Sequence, residues 1–331
     1  MSAKDRILVI VEPENNPKAI IKRAAWIAKL TDCELDLLLC DSSLSVLGDG
    51  FFVSNEARDI GKKISQAQEE LIEELAQDAR EEGITVTTAV VDERPVADAV
   101  LAIALNSNPS IVMKGTHYHS VAERAIMVDT DWQLIRQCPY PLWLVKAGDF
   151  QEEPFIIAAV DPTHEHDKPA ALDYAIVEAA KSVSKLAGGD LHLLHTYERL
   201  VAIGSEASKT LKAMKLPIHE IDQRMQEEHR EALDAFAEKN GIDNKHVHQL
   251  PGRTRDILPT FARSNKADLV VMGALARWGI KRMVIGSTTE RVLDHLPCDV
   301  LVIRAEKRRK APLFGDAGEI EEESVDQRRL A

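Results

Sequence analysis

Val270-Val271-Met272-Gly273-Ala274-Leu275-Ala276 runs from a short apolar stretch into a small-residue turn, and 158 positions earlier Val112-Met113-Lys114-Gly115 does the same. The offset carries Gly83-Ile84 onto Gly241-Ile242, Asp98 onto Asp256 and Pro139 onto Pro297. It also sets Pro141-Leu142-Trp143-Leu144-Val145 against Asp299-Val300-Leu301-Val302-Ile303. Upstream the register drifts by a few residues, with Val11-Glu12-Pro13 answering Val160-Asp161-Pro162 and Glu34–Leu38 answering Asp190–Leu194. A period this long exceeds any solenoid repeat and indicates a duplicated domain.

Within each copy, short apolar runs alternate with stretches of helical spacing. In the first copy the strands are Arg6–Glu12, Leu35–Cys40, Ile84–Val91, Ser110–Lys114 and Leu142–Val145. The helices are Pro17–Leu30, Asn55–Glu82, Pro95–Leu105 and Asp129–Gln137; the second copy follows suit, with Ile218–Asn240 as its long helix. Nearly uninterrupted apolar strands between helices imply a parallel sheet covered on both faces. Each copy is thus expected to be an α/β domain with a five-stranded parallel sheet flanked by helices. Such sheets bind ligands beyond the carboxyl ends of their strands, near a topological switch point.

The expected boundaries are domain one at 1–149, a linker at 150–154 and domain two at 155–305. A tail follows at 306–331, whose blocked charges and lack of apolar period predict no packed structure. The chain has 331 residues and a net charge of −13, which argues against general nucleic-acid binding. Aromatics are only 5%, so base-stacking platforms are not expected and the cores must be aliphatic. Cys33, Cys40, Cys138 and Cys298 form no CxxC pair and read as free thiols in a reducing compartment. No apolar stretch is long enough to span a bilayer and no signal peptide is evident, so a soluble, cytoplasmic chain is expected.

Past Gly273 come Ala276, nine residues, and then Gly286-Ser287-Thr288-Thr289-Glu290. Gly273 would let a ligand approach backbone amides. Gly286, Ser287 and Thr288 would place amides and hydroxyls at a helix N-terminus, where an anion is favoured. The same residues also suit a tight turn and a helix cap, with Glu290 closing a capping box. His117-Tyr118-His119 follows the fourth strand; with Cys40, Asp129 or Glu12 it could hold zinc, or simply form a polar pocket rim. His164-Glu165-His166-Asp167 reads as a solvated loop, His246 and His248 as structural residues within a strand, and Trp132 and Trp143 as core or interdomain anchors.

On the duplicated unit, Val160-Asp161, Leu193-Leu194-His195-Thr196, the Gly273-x2-Ala276-x9-Gly286-Ser287 run and the Thr130–Pro139 segment, residues 5–304 resemble a tandem universal stress protein of the E type. The resemblance implies two flavodoxin-like domains and, in the nucleotide-binding branch of the family, ATP held by a G-x2-G-x9-G-[ST] loop. By position, Gly273, Gly286, Ser287 and Thr288 would hold the phosphates and ribose, with Asp161 and the backbone of Thr196 beside the adenosine and Met272 and Ala276 also among the binding residues. Magnesium can accompany such a nucleotide. Ala276 replaces the family's second glycine, so the ligand implied is ATP or a related nucleotide or nucleotide conjugate.

The first copy departs further: Tyr118 stands opposite Ala276, Val128-Asp129 opposite Gly286-Ser287, and Glu12 opposite Asp161. A carboxylate at the anion position repels phosphate, so the first copy is expected to bind no nucleotide and to act as an intramolecular dimer partner. No nucleophile with a general base stands out at a strand end, so at most slow ATP hydrolysis is expected. Protein partners or self-association are open, and the alternative is a structural or interaction protein.

Overall fold

The computed structural model describes residues 4–40, 55–91, 95–116, 130–146, 148–163, 170–199, 217–274, 292–293 and 295–304. The first half runs β1 (Arg6–Val11), α1 (Pro17–Thr31), β2 (Glu34–Leu39), α2 (Asn55–Glu81), β3 (Val86–Val90), α3 (Val96–Ser107), β4 (Ile111–Gly115), α4 (Thr130–Gln137) and β5 (Leu142–Val145). The second runs β6 (Phe155–Ala159), α5 (Ala170–Ala187), β7 (Asp190–Tyr197), α6 (Ile218–Lys239), β8 (Val247–Pro251), α7 (Thr254–Ser264), β9 (Leu269–Gly273) and β10 (Asp299–Ile303). The expected strands and helices of the first half are present, with ends shifted by a residue or two. His246 closes a 3-10 turn, Asn244–His246, ahead of β8, and only His248 is in the strand.

Alternation along the strands builds two cores. Ile7, Val9 and Val11 of β1 face the side that also buries Ile20, Ala24 and Ile72 from α1 and α2. Leu8 and Ile10 face the other, with Val100 and Leu134 from α3 and α4. The second half repeats this, Ile156 and Ala158 on one face and Ile157 on the other. α1 opens with Pro17 after Asn16, whose left-handed backbone (φ 49°) suits asparagine better than most residues.

Each half is five parallel strands, and the two join into one ten-stranded sheet of order β3-β2-β1-β4-β5-β10-β9-β6-β7-β8. The seam is antiparallel, pairing Val300 with Leu144, Leu301 with Trp143 and Val302 with Leu142. The carboxyl edges of the two halves therefore point in opposite directions.

Across the seam the halves exchange contacts in pairs. Lys146 Nζ donates to the carbonyls of Leu293 (3.1 Å) and Leu296, which lead into β10. Its counterpart at the 158 offset, Arg304, donates to the carbonyls of Ile135 (2.6 Å) and Arg136 at the end of α4. Arg304 meets the carboxyl end of α4, where positive charge is favoured. One element is not paired: Asp299 stands where the first half has Pro141. Its carboxylate, almost fully buried, accepts from Arg23 Nη1, Trp143 Nε1 and the Lys146 amide, each at 2.9 Å. Trp143 is thus an interdomain anchor, while Trp132 is partly buried against the core. The connection between the halves is fastened: Asp268 accepts from the amides of Gln151 and Phe155, and Phe150 packs on Trp26 under the Arg23 guanidinium.

Candidate functional site

In each half the chain order reverses beside the first strand. β6 lies between β7 and β9, and β1 lies between β2 and β4. The switch points are the gaps between β6 and β9 and between β1 and β4, where ligands of open α/β sheets enter. The switch points are flanked by Asp161, after β6, and Gly273, the last residue of β9, in the second half, and by Glu12, after β1, and Gly115, the last residue of β4, in the first.

The second-half rim is held from beneath. The Asp161 amide donates to Asp173 Oδ1 (3.0 Å), from a residue of α5 with no exposed surface. The Asp161 carboxylate accepts the Thr163 hydroxyl (2.8 Å) and stays half-buried. On the next strand Thr196, also half-buried, shares a 2.6 Å hydrogen bond with the hydroxyl of Thr254 in the first turn of α7. Met272 is buried in the core under this edge, and the Ala274 amide donates to the Ile303 carbonyl (2.8 Å). The structure thus brings Asp161, Thr196, Met272 and Gly273 to one edge on three adjacent strands. Ala276, Gly286, Ser287 and Thr288 lie outside the described residues.

Gly273 has a packing reason of its own for lacking a side chain, besides the one expected. A Cβ there would lie 2.6 Å from Leu172 Cδ2 and 3.2 Å from Ile176 Cδ1, on α5. The small residue lets the helix pack close against the end of β9.

The first-half switch point is filled by the chain itself. Lys114, which replaces Met272 at the 158 offset, is buried, and its ammonium sits 2.7 Å from Glu12 Oε2 and 2.5 Å from Asp131 Oδ1. Thr116 donates to the other Asp131 oxygen (3.1 Å), and Asn15 donates to Glu12. Burial pulls the Lys114 pKa down, but the charges of Asp131 and Glu12 outweigh it and hold the ammonium above its usual range. The turn after β1 closes over the gap through the Asn15 amide on the Glu12 carbonyl (3.0 Å). A Cβ on Gly115 would stand 3.1 Å from the Asn15 carbonyl oxygen.

This arrangement bears on the zinc reading. Glu12 is committed to Lys114 and Asn15. Burial, reinforced by the Glu12 charge, pushes the Cys40 thiol up to about 12, so it is no ready thiolate ligand. Among the described residues no three His, Cys, Asp or Glu side chains are grouped to hold a metal. His117, His119 and Asp129 lie outside the described residues, as does 164–169.

Sequence reading passed over several residues of this geometry. Lys114 had a signal, a lone charge in the run Ile111-Val112-Met113. Asp173, Thr254 and Asp131 had little, since each looks like an ordinary polar residue of a first helical turn.

The universal stress protein family model matches residues 4–146 and again 156–304. Universal stress protein E of Escherichia coli (strain K12) is 24% identical over 311 residues, 93% of this chain and 96% of that protein. The protein of the same name from Photorhabdus laumondii is 23% identical over 309 residues, covering 92% and 96%. A crystal structure of a functionally unknown protein from Pseudomonas aeruginosa PAO1 superposes with TM-score 0.68 at 25% identity, covering 91% of this chain and 93% of that one. A universal stress protein from Archaeoglobus fulgidus DSM 4304 shares the fold with TM-score 0.58 at 17% identity, covering 90% and 98%. Among the described residues no helix is long and apolar enough to cross a membrane.

Proposed function

The chain belongs to the universal stress protein family, with two of its domains in tandem, and on that premise we propose that the second half is a nucleotide-binding stress-response module. Its ligand is ATP or a related nucleotide or conjugate, entering at the switch point between β6 and β9. Asp161 and Thr196 line the nucleoside end, and the Gly273-to-Thr288 run supplies the phosphate end, with magnesium accompanying the phosphates. The first half binds no nucleotide and serves as the built-in partner across the β5–β10 seam. The chain acts in the cytoplasm as a sensor, with 1–149 and 155–305 as its domains and 306–331 as a tail.

The observation that carries this reading is the contrast between the two switch points. At one, an ammonium and two carboxylates occupy the end of the strands. At the other the matching residue is an apolar Met272, and the polar groups of Asp161 and Thr196 remain half-buried at the rim. A filled ion-pair cluster has no need of a ligand, whereas a polar rim over an apolar floor is the usual composition of a small-molecule site.

Thermal denaturation with ATP or ADP tests this. A ligand at about 100 times its Kd stabilises by ~2.7 kcal/mol, a rise of a few degrees in Tm. The rise should vanish in Gly286→Val. No shift at millimolar nucleotide would overturn the reading and leave a structural or interaction protein. A phosphate-containing ligand found in the first half would overturn the assignment of that half.

A further inference from the structure

Two histidines between β7 and α6 have no part in the site as described. The buried face of α6 is apolar toward its end, through Leu233, Phe236 and Ala237, but carries Asp222 and His229 before them. His229 meets His195 of β7, and both side chains are almost fully buried. The His195 Nδ1 atom lies 3.1 Å from the Val160 carbonyl oxygen, and its Nε2 atom lies 2.7 Å from His229 Nδ1.

With His195 neutral, these contacts define one arrangement of the protons. A carbonyl oxygen only accepts, so His195 Nδ1 carries the hydrogen. In a neutral ring the other nitrogen then accepts, and His229 Nδ1–H is its donor. The result is a directed chain from α6 through β7 to the last carbonyl of the β6 edge. The Val160 amide also donates to the Leu194 carbonyl (3.0 Å), so the ends of β6 and β7 are tied twice, once by backbone and once by an imidazole.

The two tied residues immediately precede the two rim residues, Val160 before Asp161 and His195 before Thr196. We propose that His195, oriented by His229, is a positioning residue that sets the gap between Asp161 and Thr196 and thereby the fit of the nucleoside end of the ligand. The ligand part of this proposal rests on the nucleotide reading above. Without the His229 donor, the hydrogen bond that favours the Nδ1–H form of His195 is lost, and the ring can adopt the Nε2–H form that imidazole prefers in water.

The test uses the full chain at neutral pH, as wild type, His229→Leu and His229→Asn. Asparagine keeps an N–H near the Nδ1 position, whereas leucine removes it. Imidazole 15N spectra should show His195 as the Nδ1–H tautomer in wild type and His229→Asn, and not in His229→Leu. Exchange of the Val160 and Asp161 amides should rise about 10-fold in His229→Leu, and ATP affinity should fall about 10-fold, with both largely restored in His229→Asn.

A wild-type His195 in the Nε2–H form overturns the proposal without any variant, so a variant that fails to fold does not shelter it. Unchanged amide exchange in a folded His229→Leu chain also overturns it. If ATP has no effect on the wild type, the nucleotide reading fails, and the tautomer and exchange results still decide whether the pair positions the rim.

Discussion

A lysine in a strand that otherwise reads Ile111-Val112-Met113 would be a severe liability without partners, because a desolvated ammonium costs several kcal/mol. Glu12 and Asp131 offset that cost, and their own side chains are mostly buried by the same contact. The cluster is therefore all or nothing. Replacing Lys114 with methionine, the residue of the second half, leaves two carboxylates facing each other with no cation. The expected loss is ~3 kcal/mol, read as a lower urea midpoint with little change in slope. A Lys114→Met chain as stable as wild type would mean that the ion cluster is not what closes the first switch point. The sequence marks Lys114 as unusual but is silent on its partners, since Glu12 and Asp131 lie on other elements. Gly273 teaches the converse. Its small size suggests an approaching ligand, yet the packing of Leu172 of α5 demands the same small residue on its own.

At the scale of elements, the alternation of apolar runs and helical stretches placed the strands almost to the residue, because the inner strands bury both faces of a parallel sheet. The edge of the second half is less regular. His192 of β7 stacks on Phe155 (4.0 Å between centroids) and lies 3.0 Å by its Nδ1 from His248 Nε2 of β8, with His246 against its face. Burial, then the nearby His246 and His248, lower the His192 pKa to about 4, while Asp190 pulls it up. His248 is lowered as well, by burial first, then His246 and Arg230. An unfolded histidine titrates near ~6.5, so between that pH and about 4 the unfolded chain binds more protons than the folded one. The stability from His192 is complete above ~6.5 and is lost as the pH falls toward about 4. With this ring partly exposed, the loss is on the order of 1 kcal/mol. Urea midpoints at neutral and mildly acidic pH should fall together less in His192→Phe than in wild type. Equal falls in the two would remove His192 as the source.

At the scale of the whole molecule, the join between the halves depends on one carboxylate that the duplication does not repeat. Burial pushes the Asp299 pKa up to about 6, and Arg23, the Lys146 amide and Trp143 act against it, so at neutral pH it stands as a buried anion opposite a buried guanidinium. Burial correspondingly lowers the pKa of Arg23, with Asp299 opposing. Asp299→Asn keeps the shape but strands Arg23, and the expected cost is ~3 kcal/mol. Because the loss falls at the seam, chemical unfolding should become less cooperative as well as earlier, with the two halves separating into distinct transitions. A variant with the wild-type midpoint and a single transition would show that strand pairing alone holds the seam.

Duplication, element order, the expectation of parallel sheets and the edge at which to look for a ligand were all set by the sequence alone. These depend on local apolar period and on a repeat offset, and both survive in one dimension. The tertiary structure decided that β5 and β10 pair antiparallel, so that ten strands form one sheet with its two ligand edges opposed. It also decided that Asp299 is held by Arg23 and Trp143, and that the first switch point is closed by Lys114 between Glu12 and Asp131. Each of these joins groups far apart in the chain, and the energy of a buried charge depends on which partner folding brings within hydrogen-bonding distance.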